Sequence, residues 1–222
     1  MPHNRNKRAA SRRRRRKIGT LLMAIGSLML LGAVGLLAYN AWDDWRAGTA
    51  VVKVQDALDL AMENRNSGVT LYENSTGTRD ADDTEMDVIE IDGYDYIGTL
   101  SISRYGLELP VMADWSYAGL KIAPACYSGS VWTDDLVICG HNYERHFGYL
   151  KDLEEGDTIT FTDVDGNVWY YVVNEVLTLE PTAIEEMLAQ GGVSWDLTLF
   201  TCTTSGQARV TVRLSKVAMV ES

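Results

Sequence analysis

The sequence predicts a mostly β domain that follows a single N-terminal transmembrane helix. Two observations support this prediction. Residues 18–39 contain no charged side chain, and residues 93–222 consist largely of short, turn-bounded runs of β-branched and aromatic residues. Many short strands with few helices are typical of a sandwich or a barrel. A chain of 222 residues has room for one such domain and additional segments.

The N-terminal segment combines a basic tail with an apolar run. Residues 1–17 hold nine of the 20 Lys and Arg residues and no acid, so the rest of the chain carries 11 basic residues against 31 acidic ones. The next 22 residues, 18–39, are long enough to cross a bilayer core of ~30 Å. Because Lys and Arg beside a span favour the cytoplasmic side, we expect residues 1–17 inside the cell and the later residues outside.

Two alternatives for this segment remain open. The basic tail could bind nucleic acid, although its position directly before the apolar run argues against that function. The segment could also be a cleaved signal peptide. Its apolar run is longer than the usual ~7–15 residues, and no clear A-x-A site follows it. We therefore predict a retained membrane anchor.

Two further segments separate the apolar run from the β-rich region. Residues 40–65 place apolar side chains at roughly helical spacing between charged ones, which predicts a juxtamembrane helix that packs on the folded domain or holds it off the bilayer. Gly48 weakens this pattern. Residues 66–92 are rich in Ser, Thr, Gly, Asp and Glu, which predicts a flexible acidic linker. Residues 93–222 then form the folded domain.

Turn signals divide this domain into elements. The predicted strands are residues 96–103, 107–113, 135–141, 158–162, 168–179, 197–202 and 209–217. The Asp-Gly loop at residues 163–167 predicts a hairpin, and we interpret its Asp163, Asp165 and Asn167 as turn residues rather than a calcium loop. Residues 182–190 predict a short helix that Thr182 could cap. Large aromatics in barrels are usually core residues, so we do not place Trp115, Trp132 or Trp195 in a site.

Three cysteines are too few for a disulfide framework, and one must stay unpaired unless it bonds another chain. Catalysis would explain an unpaired thiol in an exported protein. A cysteine nucleophile needs an acid–base partner nearby. Cys202 ends the apolar strand at 197–202, and His141 ends the buried strand at 135–141. If these two strands are neighbours, their ends come together. Arg209 begins the next strand, where its guanidinium could donate hydrogen bonds to an oxyanion or a substrate carbonyl.

Each of these residue types also has a structural interpretation. A cysteine after an apolar strand is often a small core residue, and a histidine or arginine at a strand end is often a polar cap or surface charge. Arg213 shares a strand face with Arg209 and is the alternative arginine. We expect His146 at the surface or behind the site, Cys139 in the core, and Cys126 either free or paired with Cys139.

The combination of residues resembles the sortase family. Sortases carry a Thr-Leu-x-Thr-Cys strand end, which residues 198–202 match, and an arginine at the start of the following strand, which Arg209 matches. They also carry a Gly-His pair at an earlier strand end, which Gly140 and His141 match in the same chain order. The resemblance covers about residues 93–220.

The resemblance implies an eight-stranded β-barrel that catalyses transpeptidation. Cys202 would attack the carbonyl of a Thr within a C-terminal sorting motif and form an acyl-enzyme thioester. His141 would protonate the departing amine, Arg209 would steady the substrate or the oxyanion, and Thr201 would help to hold the substrate backbone. A second amine would then resolve the thioester. We expect no cofactor and no metal.

The implied partners are surface proteins that carry a sorting motif and an acceptor amine on a peptidoglycan precursor or a pilin. The implied location is the cell membrane of a Gram-positive organism, with one span, the N-terminus in the cytoplasm and the catalytic domain outside. The predicted helices at 40–65 and 182–190 look most like class B sortases, and the short segment from Cys202 to Arg209 is also compatible with class D. The alternatives are an extracytoplasmic cysteine peptidase and a catalytically silent barrel that acts as a binding module.

Overall fold

The computed structural model describes residues 3–69, 84–188 and 194–217. The chain divides into two compact units, Met1–Asp43 and Asp44–Ser222. Its long helix α1 is His3–Val69, and the short helix α2 is Ile184–Met187. The strands are β1 Ile89–Ile91, β2 Tyr94–Ile102, β3 Leu107–Met112, β4 Ala125–Ser128, β5 Leu136–Gly140, β6 Thr158–Asp163, β7 Val168–Leu179, β8 Leu197–Cys202 and β9 Arg209–Val217.

The described part of the N-terminal unit is helical and contains the apolar run. Within Gly19–Arg65, α1 contains a stretch that is long and apolar enough to cross a membrane. The large apolar side chains of residues 21–39 are exposed within the part of the chain that the structure describes. An exposed apolar surface of this length is unfavourable in water but suits a lipid environment.

Eight of the strands close into a barrel. Their order around the sheet is β2-β3-β4-β5-β8-β9-β7-β6, and β6 pairs with β2 to complete the ring. The short β1 adds to the first half of β2, while β6 pairs with its second half. The predicted mostly β architecture and the eight-stranded barrel are therefore confirmed. The barrel interior is filled by alternate strand residues, which include Leu199 of β8 and Val212 of β9.

The second half of α1 packs on the barrel. Ala47, Val51, Val54 and Leu58 are buried and lie on one helix face at intervals of three and four residues. Val51 joins the main core, and Val54 and Leu58 pack in a second cluster beside the β2–β3 hairpin. The predicted juxtamembrane helix thus packs against the folded domain.

Gly48 does not interrupt α1, and the structure gives a reason for a glycine at this position. A Cβ built on Gly48 would lie 1.8 Å from Cδ of Arg145, whose side chain crosses the helix there. The residue that weakens the helical pattern in the sequence therefore allows a close approach between α1 and the loop after β5.

The structure differs from the sequence prediction in three local respects. Strands β1 and β4 were not predicted, and β1 lies within residues 66–92, which the sequence pattern assigns to a linker. The predicted helix at 182–190 is shorter, because α2 is only Ile184–Met187, and Thr182 does not cap it. The C-terminal end of that prediction lies outside the described residues. Strand β4 has the sequence Ala-Cys-Tyr-Ser, which contains no β-branched residue and gives a weak strand signal.

The Asp-Gly loop forms the predicted hairpin turn between β6 and β7. The carboxylate of Asp163 accepts hydrogen bonds from the main-chain N–H groups of Asp165 and Asn167 and from the Asn167 amide. Gly166 has a φ of 84°, which glycine adopts without steric cost. Asp165 in turn forms an ion pair with Arg65 of α1 at 2.7 Å.

Candidate active site

The sheet brings the ends of three strands together. Strand β5 lies parallel to β8, and Gly140 is the register partner of Thr201. His141 and Cys202, which follow these two residues, therefore emerge side by side at the same edge. Strand β9 runs antiparallel to β8, and Arg209 is the register partner of Cys202. The three predicted catalytic residues thus lie on neighbouring strand ends, as the sequence-based argument requires.

The same three residues line one cavity on the outer face of the barrel. Side chains alternate along β8, so Leu197 and Leu199 point into the core, while Phe200 and Cys202 point outward. The cavity has a volume of about 210 Å³ and includes His141, Cys202 and Arg209 among its lining residues. All three are half-buried, so each can meet a substrate from solvent.

Apolar and aromatic side chains form the remaining walls of this cavity. They come from the loop after β3, from β4, from β8 and from α2: Trp115, Tyr117, Leu120, Tyr127, Phe200, Ile184 and Met187. The Tyr127 ring packs edge-on against Phe200 at 5.4 Å and is stacked on Trp115 at 6.1 Å between centroids. This arrangement corrects the exclusion of Trp115, whose side chain is 43% exposed beside the site. The sequence did contain a signal for this position, because Trp115 lies in a turn-rich segment outside any predicted strand.

Thr201 has a structural position beside the site. Its side chain is 3% exposed, and its Oγ1 donates a 2.8 Å hydrogen bond to the carbonyl oxygen of Gly140. This bond ties the end of β8 to the end of β5 directly before Cys202 and His141. The Thr201 hydroxyl therefore donates its proton within the protein. The predicted contact with the substrate backbone would have to use the main chain of Thr201 or a lone pair of its hydroxyl oxygen.

The two candidate arginines have different surroundings. Arg213 donates to the Glu175 carboxylate at 2.8 Å and to the Glu186 carbonyl at 2.7 Å, and its guanidinium lies 4.0 Å from the centre of the Trp195 ring. Arg213 therefore holds α2 and the segment before β8 against the barrel. The Arg209 guanidinium donates long hydrogen bonds of 3.3 and 3.4 Å to nearby main-chain carbonyls, and Arg209 lines the cavity.

The loop between Cys202 and Arg209 folds back on itself. The main-chain N–H of Thr203 donates to the Ala208 carbonyl at 2.9 Å, and the Ala208 N–H donates to Oγ1 of Thr203 at 3.2 Å. These two bonds hold the loop closed where β8 turns into β9. Arg209 is thereby returned to the strand position opposite Cys202.

His146 is buried, so of the two positions expected for it the structure shows the one behind His141 and not the one at the surface. Its side chain is 0% exposed and packs behind His141, with the Tyr143 ring 5.0 Å from the His141 ring and 5.3 Å from the His146 ring. Among the described residues, neither ring nitrogen has a partner in good hydrogen-bond geometry. Burial, and to a lesser extent the positive charge available to His141, lower the pKa of His146 to about 4. The ring is therefore neutral near pH 7.

All three cysteines are free thiols. Cys139 pairs in register with Ala125, and Cys126 pairs with Ile138, so the two side chains leave the sheet on opposite faces. This geometry disagrees with the suggested disulfide. Burial raises the pKa of Cys139 to about 12 and that of Cys126 to about 11. Both stay protonated at neutral pH and are poor nucleophiles, whereas Cys202 is the cysteine beside both His141 and Arg209.

The fold is a closed β-barrel with a cysteine, a histidine and an arginine lining one cavity, and the comparisons with known proteins identify its family. The Sortase domain family model matches residues 100–217, which is more than half of the chain. The chain therefore belongs to the sortase family of cysteine transpeptidases. No curated protein matches it significantly.

Solved sortase structures share its fold. The chain is 27% identical to sortase C1 from Streptococcus suis, with a TM-score of 0.50 over 56% of this chain and 74% of that one. It is 19% identical to sortase C from Streptococcus pneumoniae, with a TM-score of 0.54 over 78% and 98% of the two chains. It is 16% identical to the sortase D5 transpeptidase from Clostridium perfringens, with a TM-score of 0.53 over 78% and 98%. These relatives are sortases C and D by name, and the assignment of this chain to class B, with class D as the alternative, stays a prediction.

Proposed function

We propose that this protein is a membrane-anchored sortase that cleaves a sorting motif through a Cys202 thioester and transfers the acyl group to an amine. The observation that supports this proposal is the convergence of three strand ends on one cavity, where His141, Cys202 and Arg209 lie side by side. Membership of the family supplies the reaction class, and the geometry supports the roles given to the three residues.

In the first step, the Cys202 sulfur attacks the carbonyl carbon of a Thr residue in the substrate. The C–N bond breaks, and the imidazolium of His141 gives its proton to the leaving amine. Arg209 lies opposite Cys202 and can donate hydrogen bonds to the negative oxygen that develops on the attacked carbonyl. In the second step, an acceptor amine attacks the thioester, His141 takes up its proton, and the thiolate of Cys202 is released.

The cavity walls fit a peptide substrate. An extended peptide could place its apolar side chains against Tyr127, Phe200 and Met187 while its carbonyl group meets the polar end of the cavity. The substrates would be surface proteins that carry a sorting motif. The acceptor would be a peptidoglycan precursor or a pilin lysine, and the second of these is in keeping with the pilin substrate specificity of the pneumococcal sortase C.

The apolar part of α1 would anchor the enzyme. The basic residues 1–17 would then remain in the cytoplasm, and the catalytic domain would lie outside the cell, where surface proteins are attached. Protease treatment of intact cells provides the test of orientation. Digestion of the barrel together with protection of a tag at the N-terminus is the expected result, and the reverse pattern would overturn the assignment.

A mixture of the full chain and a library of Thr-containing peptides tests the chemistry. Mass spectrometry should detect a peptide acyl group on Cys202 and, when an amine is added, an amide product in place of the hydrolysed acid. Replacement of Cys202 with Ala should remove the acyl-enzyme and leave the barrel folded. Acylation that persists in that variant would refute the role of Cys202, and hydrolysis that an amine does not divert would identify a peptidase.

A further inference from the structure

The residues 141–148, which we call the histidine loop, carry His141 and rest on the second half of α1. Oδ1 of Asp44 in α1 accepts a 2.8 Å hydrogen bond from the main-chain N–H of Glu144. The Arg145 side chain crosses α1 at Gly48, where a Cβ would collide with it. The buried His146 ring faces the main chain of Ala47. Three successive residues of the histidine loop thus contact a single turn of α1.

The histidine loop in turn fixes the surroundings of His141. The main-chain N–H of Phe147 donates to the His141 carbonyl at 3.1 Å, and the N–H groups of His146 and Gly148 donate to the Tyr143 carbonyl at 3.0 and 2.8 Å. The Tyr143 ring contacts the rings of both His141 and His146. A movement of the loop at Glu144 would therefore be transmitted to the His141 main chain and to the ring beside its imidazole.

The contact between α1 and the histidine loop joins residues 100 positions apart in the chain. Glu144 and Arg145 are exposed, so the apolar core does not hold this part of the loop. The charge-assisted hydrogen bond from the Glu144 N–H to Asp44 is a strong restraint for an otherwise solvent-facing turn.

We propose that Asp44 is a positioning residue for His141, and that the adjacent turn of α1 is a working part of the active site. This inference rests on the proposed function, because it assumes that the His141 imidazole transfers the proton in catalysis. Asp44 does not touch the substrate. It holds the histidine loop so that the imidazole stays aligned with the Cys202 sulfur and the departing amine.

Four variants of the full chain in lipid nanodiscs test the proposal. Asp44→Ala removes the hydrogen-bond acceptor, Asp44→Asn keeps an oxygen at the same position, and Gly48→Ala displaces Arg145 by a different contact. The matched control is Lys53→Ala, which breaks the 2.7 Å ion pair between α1 and Asp92, away from the histidine loop. Transpeptidation rates, Tm values and the pH dependence of kcat are measured for each.

Asp44→Ala should lower kcat by about tenfold, the effect of losing one hydrogen bond to a charged group, with KM changed less than about twofold. Gly48→Ala should act in the same direction. Asp44→Asn should restore most of the activity, and Lys53→Ala should leave kcat unchanged. The basic limb of the pH profile of kcat should shift in Asp44→Ala but not in Asp44→Asn or Lys53→Ala. Equal kcat values for Asp44→Ala and Lys53→Ala, or no rescue by Asp44→Asn, would overturn the proposal.

A second readout separates this inference from the proposed function. The His141 ring resonances can be titrated by NMR in the Cys202→Ala protein, where no acyl transfer is needed. A change in the His141 titration curve on adding Asp44→Ala, with none on adding Lys53→Ala, supports the positioning role even if the enzyme's reaction were different. An unchanged curve refutes the positioning role, whereas loss of the proposed function alone would appear as absent acylation in the unmodified protein.

Discussion

Burial of His146 predicts a specific loss of stability in acid. Its pKa in the folded protein is about 4, against an ordinary value of 6.5, mainly because burial disfavours the charged ring. The groups His141 and Arg46 lower the pKa further, while the main chains of Ala47 and Ile122 act in the opposite direction. Between these two pH values the unfolded chain binds a proton at His146 that the folded chain does not bind.

The sign and size of the effect follow from this difference. Stability from the neutral His146 is fully present above about pH 6.5 and is lost as the pH falls from 6.5 through 4. At about 1.36 kcal/mol for each pKa unit, the full loss is roughly 3 kcal/mol. That is a large part of the ~5–15 kcal/mol that stabilises a typical domain.

The assay compares the unmodified protein with His146→Leu by urea unfolding at several pH values from 7 to 4. Leucine is chosen because it keeps an apolar side chain of similar size in a site where, among the described residues, neither imidazole nitrogen has a partner in good hydrogen-bond geometry. The acid loss should be smaller by roughly 3 kcal/mol in His146→Leu. Asp165, whose pKa is raised to about 6 by burial and by a hydrogen bond to Asp87, titrates in the same range but is present in both proteins. Parallel stability curves would refute the reasoning.

Three further predictions concern the residues around the cysteine. Arg209→Ala should slow acylation of Cys202 by roughly 10²-fold, the typical effect of removing an oxyanion donor, and an unchanged stopped-flow rate would exclude Arg209 from the site. Arg213→Ala should instead destabilise the fold by about 1–3 kcal/mol in urea, because the Glu186 carbonyl and the Trp195 ring lose their partner. Thr201→Val should cost about 1–3 kcal/mol by removing the buried hydrogen bond to the Gly140 carbonyl, and Thr201→Ser should recover most of it.

The sequence was sufficient to predict the strands that carry the site. Residues 168–179, 197–202 and 209–217 are predicted and observed with identical bounds, since each run of strand-forming residues ends at a turn signal. The position of Cys202 beside Arg209 also follows from local information, because a six-residue loop joins two strands that pair directly. That the strands ending at His141 and Cys202 lie side by side was a hypothesis, and the register of β5 with β8 confirms it and shows that the pairing is parallel.

Features that depend on contacts between distant parts of the chain could not be predicted. His146 follows a run of polar residues, which is typical of a surface loop, yet it is buried against main chain from two distant segments, at Ala47 of α1 and at Ile122. Periodicity describes one element at a time and contains no information about which element covers another. Strand β4 also depends on such contacts. Residues Ala125–Ser128 have little strand propensity, and pairing with β3 and β5 stabilises the strand.

The second half of α1 belongs to the same compact unit as the barrel. The sequence pattern places the start of the folded domain at residue 93, yet the compact unit begins at Asp44. Val54 and Leu58 of α1 cover Tyr96 and Met112, which are buried and would otherwise face solvent. One turn earlier, Asp44 and Gly48 contact the histidine loop. In the sequence, Gly48 only reduces helix propensity and Asp44 resembles ordinary surface charge. In the structure, both residues contact the loop that carries His141. Under the proposal that Asp44 positions His141, this turn of α1 belongs to the structure that supports the candidate site.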